Sequence, residues 1–242
     1  MEKSVLSHHI SQQFNVELEN LRTRVFAMGG LVEQQVRDAV QALTTGNVEL
    51  ANAVIENDYK VNAMEVGIDE DCTHIIARRQ PAASDLRLLI AVIKTITDLE
   101  RIGDQAKKVA FMGRELANME RPHNGYHEIQ SMGGRVQGMV SLALDAFARL
   151  DVTAAVQVAK EDVPVDKACE TIMRSLMNDM MQDPGDIKRA LDVMWSTRAL
   201  ERIGDHAKNM SEYVIYLVQG KDVRHISLER LEKEAEKPRG AS

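Results

Sequence analysis

The chain has 242 residues and a formal charge of −7, with 44% hydrophobic, 28% charged and only 4% aromatic residues. That composition supplies a core and excludes a disordered chain, while 5 Pro and 14 Gly are too few turn residues for a many-stranded sandwich, so an all-α fold is expected. The acidic balance argues against nucleic-acid binding through bulk charge, and two cysteines, Cys72 and Cys169, are too few for a disulfide framework.

The N-terminus lacks the apolar run of a signal peptide, and the longest strongly apolar run, residues 88–93, stops at Lys94. A cytoplasmic protein is therefore expected. The first helix is expected over residues 12–44, stopped by Thr45-Gly46. Asn47 reads as the N-cap of a second helix reaching Arg79. Pro81 breaks that helix, and Ser84 reads as the cap of a third, ending near Met119. Residues 121–125 form the best linker. A fourth helix runs to about Leu150, Asp151 caps a fifth ending near Gln182, and Asp183-Pro184 starts a sixth that ends at Gly220. Residues 221–242 read as a polar tail with a short helix over residues 228–235. Short connections make antiparallel neighbours. The expected architecture is two tandem antiparallel three-helix bundles, residues 1–120 and 126–220.

The halves repeat. Leu99-Glu-Arg-Ile-Gly-Asp104 recurs as Leu200-Glu-Arg-Ile-Gly-Asp205. Met28-Gly-Gly30 recurs as Met132-Gly-Gly134, and Asp58-x-x-Val61-Asn62 as Asp162-x-x-Val165-Asp166. A period of helix-triplet length indicates a tandem duplication.

The repeated segments carry acids where a core stripe would continue. In the third helix Leu89, Ile93 and Ile96 lead to Glu100, Gly103 and Lys107, with Asp104 one turn after Glu100. The sixth repeats this with Glu201, Gly204, Asp205 and Lys208. In the second and fifth helices Asp58 and Asp162 interrupt aliphatic stripes, with Asn62 and Asp166 one turn later. Asp58 and Asp104 lie equally far in sequence from Pro81, and Asp162 and Asp205 nearly so from Pro184, which puts each pair at one height in its hairpin. Acids at one level need protons, Lys and Arg partners, or a metal ion. The metal reading takes Asp58, Asn62, Glu100 and Asp104 as one set and Asp162, Asp166, Glu201 and Asp205 as the other. Such oxygen donors suit Mg, Mn, Ca or ferric iron better than structural zinc. The second set, with four carboxylates, is expected to bind more tightly. The plain reading is a surface salt-bridge network. Gly103 and Gly204 serve close packing or leave room for a ligand. The methionines, Met177–Met181 included, read as core filling, both cysteines as inert core thiols, and Trp195 as an interface or core residue.

The doubled L-E-R-I-G-D, each copy with its upstream D-x-x-V-[N/D], resembles the PhoU family of phosphate-transport accessory regulators, over residues 8–219. The stretch Ser7-His-His-Ile-Ser-Gln-Gln-Phe14 is similar to the start of its bacterial members. The resemblance implies a cytoplasmic, dimeric, non-enzymatic repressor of phosphate-starvation signalling, linking the phosphate importer ATPase to a sensor histidine kinase. It approaches the membrane only through these partners. It also implies multinuclear metal clusters held by E/D-x-x-x-D motifs, here Glu100/Asp104, Glu201/Asp205 and Asp162/Asp166, with Mn, Mg, Fe or Zn as candidate ions. Asn62 departs from that pattern. The alternative is a ferritin-like di-metal carboxylate enzyme, but neither repeat has the Glu-x-x-His pair typical of that class. No Gly-rich phosphate cradle is present, so direct phosphate sensing has no support in the sequence.

Overall fold

The computed structural model describes residues 2–120, 126–224 and 226–235, with side chains from residue 12. The expected linker, residues 121–125, lies outside the described residues, as do the side chains of His8 and His9. The described residues form seven α-helices and no strand: α1 (Glu2–Thr45), α2 (Val48–Arg79), α3 (Ala83–Leu116), α4 (His127–Arg149), α5 (Val152–Gln182), α6 (Ile187–Gln219) and α7 (Leu228–Ala235).

The two expected caps form. Asn47 accepts a hydrogen bond from the Leu50 N–H at 2.9 Å, and Asp151 accepts one from the Ala154 N–H at 3.0 Å. Each satisfies an otherwise unpaired amide in the first turn. Gly46 and Gly220 take the left-handed conformation that ends α1 and α6. Three expectations change. The first helix begins at Glu2 rather than Gln12. Ser84 is not the cap of α3: Ala82 holds that position and makes no side-chain bond. Asp183 caps a short 3-10 turn, Pro184–Asp186, and α6 begins only at Ile187.

α1–α3 pack as one three-helix bundle and α4–α6 as another, joined along α3 with α6 and α1 with α4. The first glycine of each repeated Met-Gly-Gly has a packing cause. A side chain on Gly29 would run into Leu144 of α4, and one on Gly133 into Val40 of α1. The duplicated glycines thus mark two equivalent close approaches of α1 and α4. The α3–α6 contact instead carries a polar hub with no counterpart in the repeat. Buried Asp98 accepts from Tyr213 Oη at 2.7 Å and Asn209 Nδ2 at 3.2 Å, and lies 2.7 Å from His206 Nδ1. Lys94 sits over the Tyr213 and Tyr216 rings, 5.5 and 5.6 Å from their centroids. The start of the tail is docked rather than free: Leu231 of α7 is buried, α7 packs on α5, and Lys160 pairs with Glu232 at 2.7 Å.

The L-E-R-I-G-D motif divides its residues by face. Leu99, Ile102 and Gly103 are buried, as are Leu200, Ile203 and Gly204, while Arg101 and Arg202 point to water. The acids fall between these faces, on the seam with the preceding helix. Met28 and Met139 fill the core as expected, but Met177 and Met181 are 48% and 75% exposed, and Trp195 is 63% exposed. These three are therefore not core residues.

Candidate metal centre

Each acidic seam is built by one antiparallel hairpin. In the first, Asp58 on α2 is 1% exposed and accepts a hydrogen bond from Lys107 Nζ on α3 at 3.0 Å. In the second, Asp162 on α5 is 3% exposed and accepts from Lys208 Nζ on α6 at 2.5 Å. The two lysines are thus ion-pair partners of the two most buried acids. Each pair leaves one carboxylate oxygen unsatisfied: Asp58 Oδ1 and Asp162 Oδ1 are buried with no hydrogen-bond partner. A buried anionic oxygen without a donor is costly. A cation is one group that could satisfy it.

The second seam gathers more donors. Asp162, Asp166 and Asp205 each offer an oxygen, and these oxygens lie within 4.8 Å of one another. Glu201 is one turn from Asp205 and accepts from Arg198 Nη1 at 2.7 Å. In the first seam Glu100 and Asp104 occupy the places of Glu201 and Asp205, and Asn62 is exposed. A further acid enters there that the motif comparison passed over. Glu65 on α2 is close enough to Glu100 to raise its pKa. It lay in the aliphatic stripe of α2, but its repeat counterpart is Cys169, so a search for shared acids could not find it. Gln35 also lies beside Asp58 under Gly103, and both of its side-chain polar atoms are buried without partners. Its counterpart in the second seam is apolar Met139, whose Sδ would lie 3.7 Å from a Cβ on Gly204. A Cβ on Gly103 would lie 3.1 Å from Gln35 Oε1, a tight approach that fits the packing role, whereas one on Gly204 would make only ordinary contacts.

The electrostatics agree with crowded acids. Burial raises the pKa of Asp205, aided by Asp162 and Asp166, and raises that of Asp166, aided by Asp162. Burial also raises Glu201, against the pull of Arg198, and Glu100, aided by Asp104 and Glu65. For Lys208, burial works against charge, but the bond to Asp162 and its negative charge prevail and raise the pKa. Both cysteine thiols are buried and shifted upward by burial, Cys72 to about 12, which fits inert core thiols. Glu212, buried near Lys208, is pushed up to about 7 by burial.

An acid whose folded-state pKa is raised holds a proton that the unfolded chain has released. Stability therefore falls as pH climbs from the unfolded values, 3.8 to 4.5 here, through the raised ones. Chelator-treated protein should melt lower at pH about 7.5 than at pH about 5, and Glu212→Gln should flatten part of that slope. Added cation should recover the loss at the higher pH only, because ligation needs deprotonated carboxylates. Calorimetry checks this; a melting temperature that rises over that range in chelator contradicts it.

Fold and seams together define a class: a duplicated helical-bundle protein with one acidic hairpin seam per repeat. The PhoU domain model matches residues 25–112 and 129–214, one match per repeat. The chain is 54% identical over 238 residues to a phosphate-specific transport system accessory protein PhoU homolog of Pseudomonas aeruginosa, covering 98% of each chain. The crystal structure of PhoU from Pseudomonas aeruginosa superposes with a TM-score of 0.84 at 52% identity, covering 86% of this chain and 100% of that one. The crystal structure of the phosphate transport system regulatory protein PhoU from Streptococcus pneumoniae gives 0.80 at 26% identity, covering 87% of this chain and 99% of that one. The chain belongs to the PhoU family, a family of accessory regulators rather than enzymes. Among the described residues no helix is long and apolar enough to cross a membrane.

Proposed function

We propose that this chain is a cytoplasmic adaptor that restrains phosphate-starvation signalling and links a phosphate importer ATPase to a sensor histidine kinase. The observation that carries the reading is the match, over 98% of both chains, to a phosphate-specific transport system accessory protein, with both motif copies in place. In this reading the chain divides at residues 121–125 and works as a homodimer, whose mass light scattering reads directly. Its seams hold cations: Asp162, Asp166, Glu201 and Asp205 as the tighter set, and Asp58, Glu100 and Asp104, with Asn62 beside them, as the weaker. Glu65 raises the carboxylate count of the first seam to equal the second. The closer gathering of Asp162, Asp166 and Asp205 still favours the second. All-oxygen donors favour hard ions such as Mg or Mn, with Fe and Zn as further candidates. A bound cation would neutralise the seam and give Asp162 Oδ1 the partner it lacks.

Deleting the gene from its host should switch on phosphate-starvation genes while phosphate is plentiful. Transcript levels in replete medium are the readout. Continued repression in the deletion strain would remove the adaptor reading.

A further inference from the structure

The acidic seam of α5 and α6 continues toward the tip of that hairpin, where its chemistry changes. On α6 the stripe that carries Lys208, Asp205, Glu201 and Arg198 goes on, at the same three- and four-residue spacing, to Met194, Leu191 and Ile187. On α5 the stripe of Asp162, Asp166 and Cys169 goes on to Met173, Met177 and Met181. The Lys208–Asp162 bond fixes the antiparallel register, which sets Met177 level with Leu191 and Met181 level with Ile187. Met177 and Met181 are 48% and 75% exposed and Ile187 and Leu191 42% and 41%, while Met173 and Met194 are half-buried, so the tip of the seam is the open part. The first repeat does not share its α5 side. The counterparts of Met173, Met177 and Met181 are Asp69, Thr73 and Ala77. On α3 the counterparts of Ile187, Leu191 and Met194 are Leu86, Ile90 and Ile93, so it is the α5 methionines that set the second hairpin apart.

We infer that the outer α5–α6 seam is a docking groove for an amphipathic helix of a partner protein, apolar where it meets the methionine half and basic where it meets the acidic half. Three observations select this occupant. The seam from Asp162 to Met181 is about 30 Å long at 1.5 Å per residue, which matches a helix of roughly 20 residues. Its far half carries Asp166 and Asp205, which call for Lys or Arg on the occupant. Its near half is lined by methionines and branched aliphatics, the adaptable lining that accepts an apolar helix face through anchors at i, i+3, i+4 and i+7. An uncharged apolar partner would leave the acidic half unmatched. The inference takes the adaptor reading as given and names the contact surface. It concerns the cation-free seam, where Asp166 and Asp205 are not neutralised; a bound cation would compete with the basic end.

The chain's single tryptophan, Trp195, lies on α6 beside this half and reports on it directly. Phage-displayed 20-residue peptides should be panned on the intact protein in chelator, and the enriched peptides synthesised. Enrichment of helical-period apolar sequences with Lys or Arg at one end is expected. Their binding should shift Trp195 emission to shorter wavelength and weaken at least tenfold with either Met177→Lys or Asp166→Lys. Both substitutions are at exposed positions, and circular dichroism verifies the fold. Enriched peptides without that pattern, or with affinity unchanged by both variants, overturn the inference. So does a Trp195 shift with vesicles of anionic phospholipid but none with peptide, which makes the face a membrane surface. A shift that follows protein concentration and vanishes in Met177→Lys overturns it too, in favour of a second copy. The deletion phenotype stands apart from all these outcomes, so loss of the groove and loss of the adaptor reading are separable.

Discussion

Adding Mn²⁺ to chelator-stripped protein should raise its melting temperature by about 5–10 °C. At a hundredfold excess over Kd a ligand confined to the folded state stabilises by roughly 2.7 kcal/mol. For a chain of this size each kcal/mol moves the midpoint by about 2–4 °C. Glu201→Gln with Asp205→Asn should remove most of that rise, and Glu100→Gln with Asp104→Asn less of it. The difference follows from geometry: three oxygens of the second seam already lie within 4.8 Å of one another. The double variants make a second, opposite demand. Burial raises the pKa of Glu201, against the pull of Arg198, and that of Asp205, aided by Asp162 and Asp166, so their charged forms strain the metal-free fold. Without cation, the variant of the second seam should melt above the parent at pH about 7.5. Parent protein that ignores every cation, with a variant that melts lower, would return the seams to plain salt-bridge networks.

The second large effect concerns the helix contacts that hold the seams in place. Gly113 of α3 packs against the backbone of α1: a Cβ there would lie 2.8 Å from Leu43 Cα and 3.1 Å from its nitrogen. Backbone cannot step aside as a side chain can, so α1 and α3 must separate. Gly113→Leu should cost on the order of 3 kcal/mol or more, a fall of roughly 6–12 °C in melting temperature. Gly138 of α4 has nothing within 4 Å of where its Cβ would be, so Gly138→Ala should gain about 0.5–1 kcal/mol from helix propensity alone. Opposite signs for two helical glycines, read by calorimetry, are the test. A neutral Gly113→Leu would mean that the α1–α3 approach is looser than the geometry gives.

Much of this was legible in the sequence, because caps, breaks and the repeat are local signals. Asn47 and Asp151 announce helix starts by a chemistry that needs only three neighbouring residues. The six long helices and their grouping into two bundles follow from those signals and the duplication. Ser84 misled because its side chain suits a cap, while Pro81 already allows the helix to begin at Ala83. The packing of α3 on α6, with the Asp98 hub, lay beyond the repeat signal, since its partners have no counterparts in the other half. Glu65 was hidden for the same reason. The exposure of Met177, Met181 and Trp195 was hidden because helical spacing does not reveal which apolar stripe finds a neighbour.

The most direct measurement of the central claim, that the hairpin seams are cation sites, is anomalous diffraction from crystals soaked in Mn²⁺. A strong peak is expected among Asp162, Asp166 and Asp205, within coordination distance of Asp162 Oδ1, and a weaker one beside Asp58, Glu100 and Asp104. A map with no peak at either seam, and with Lys208 Nζ still the only cation on Asp162, would contradict it.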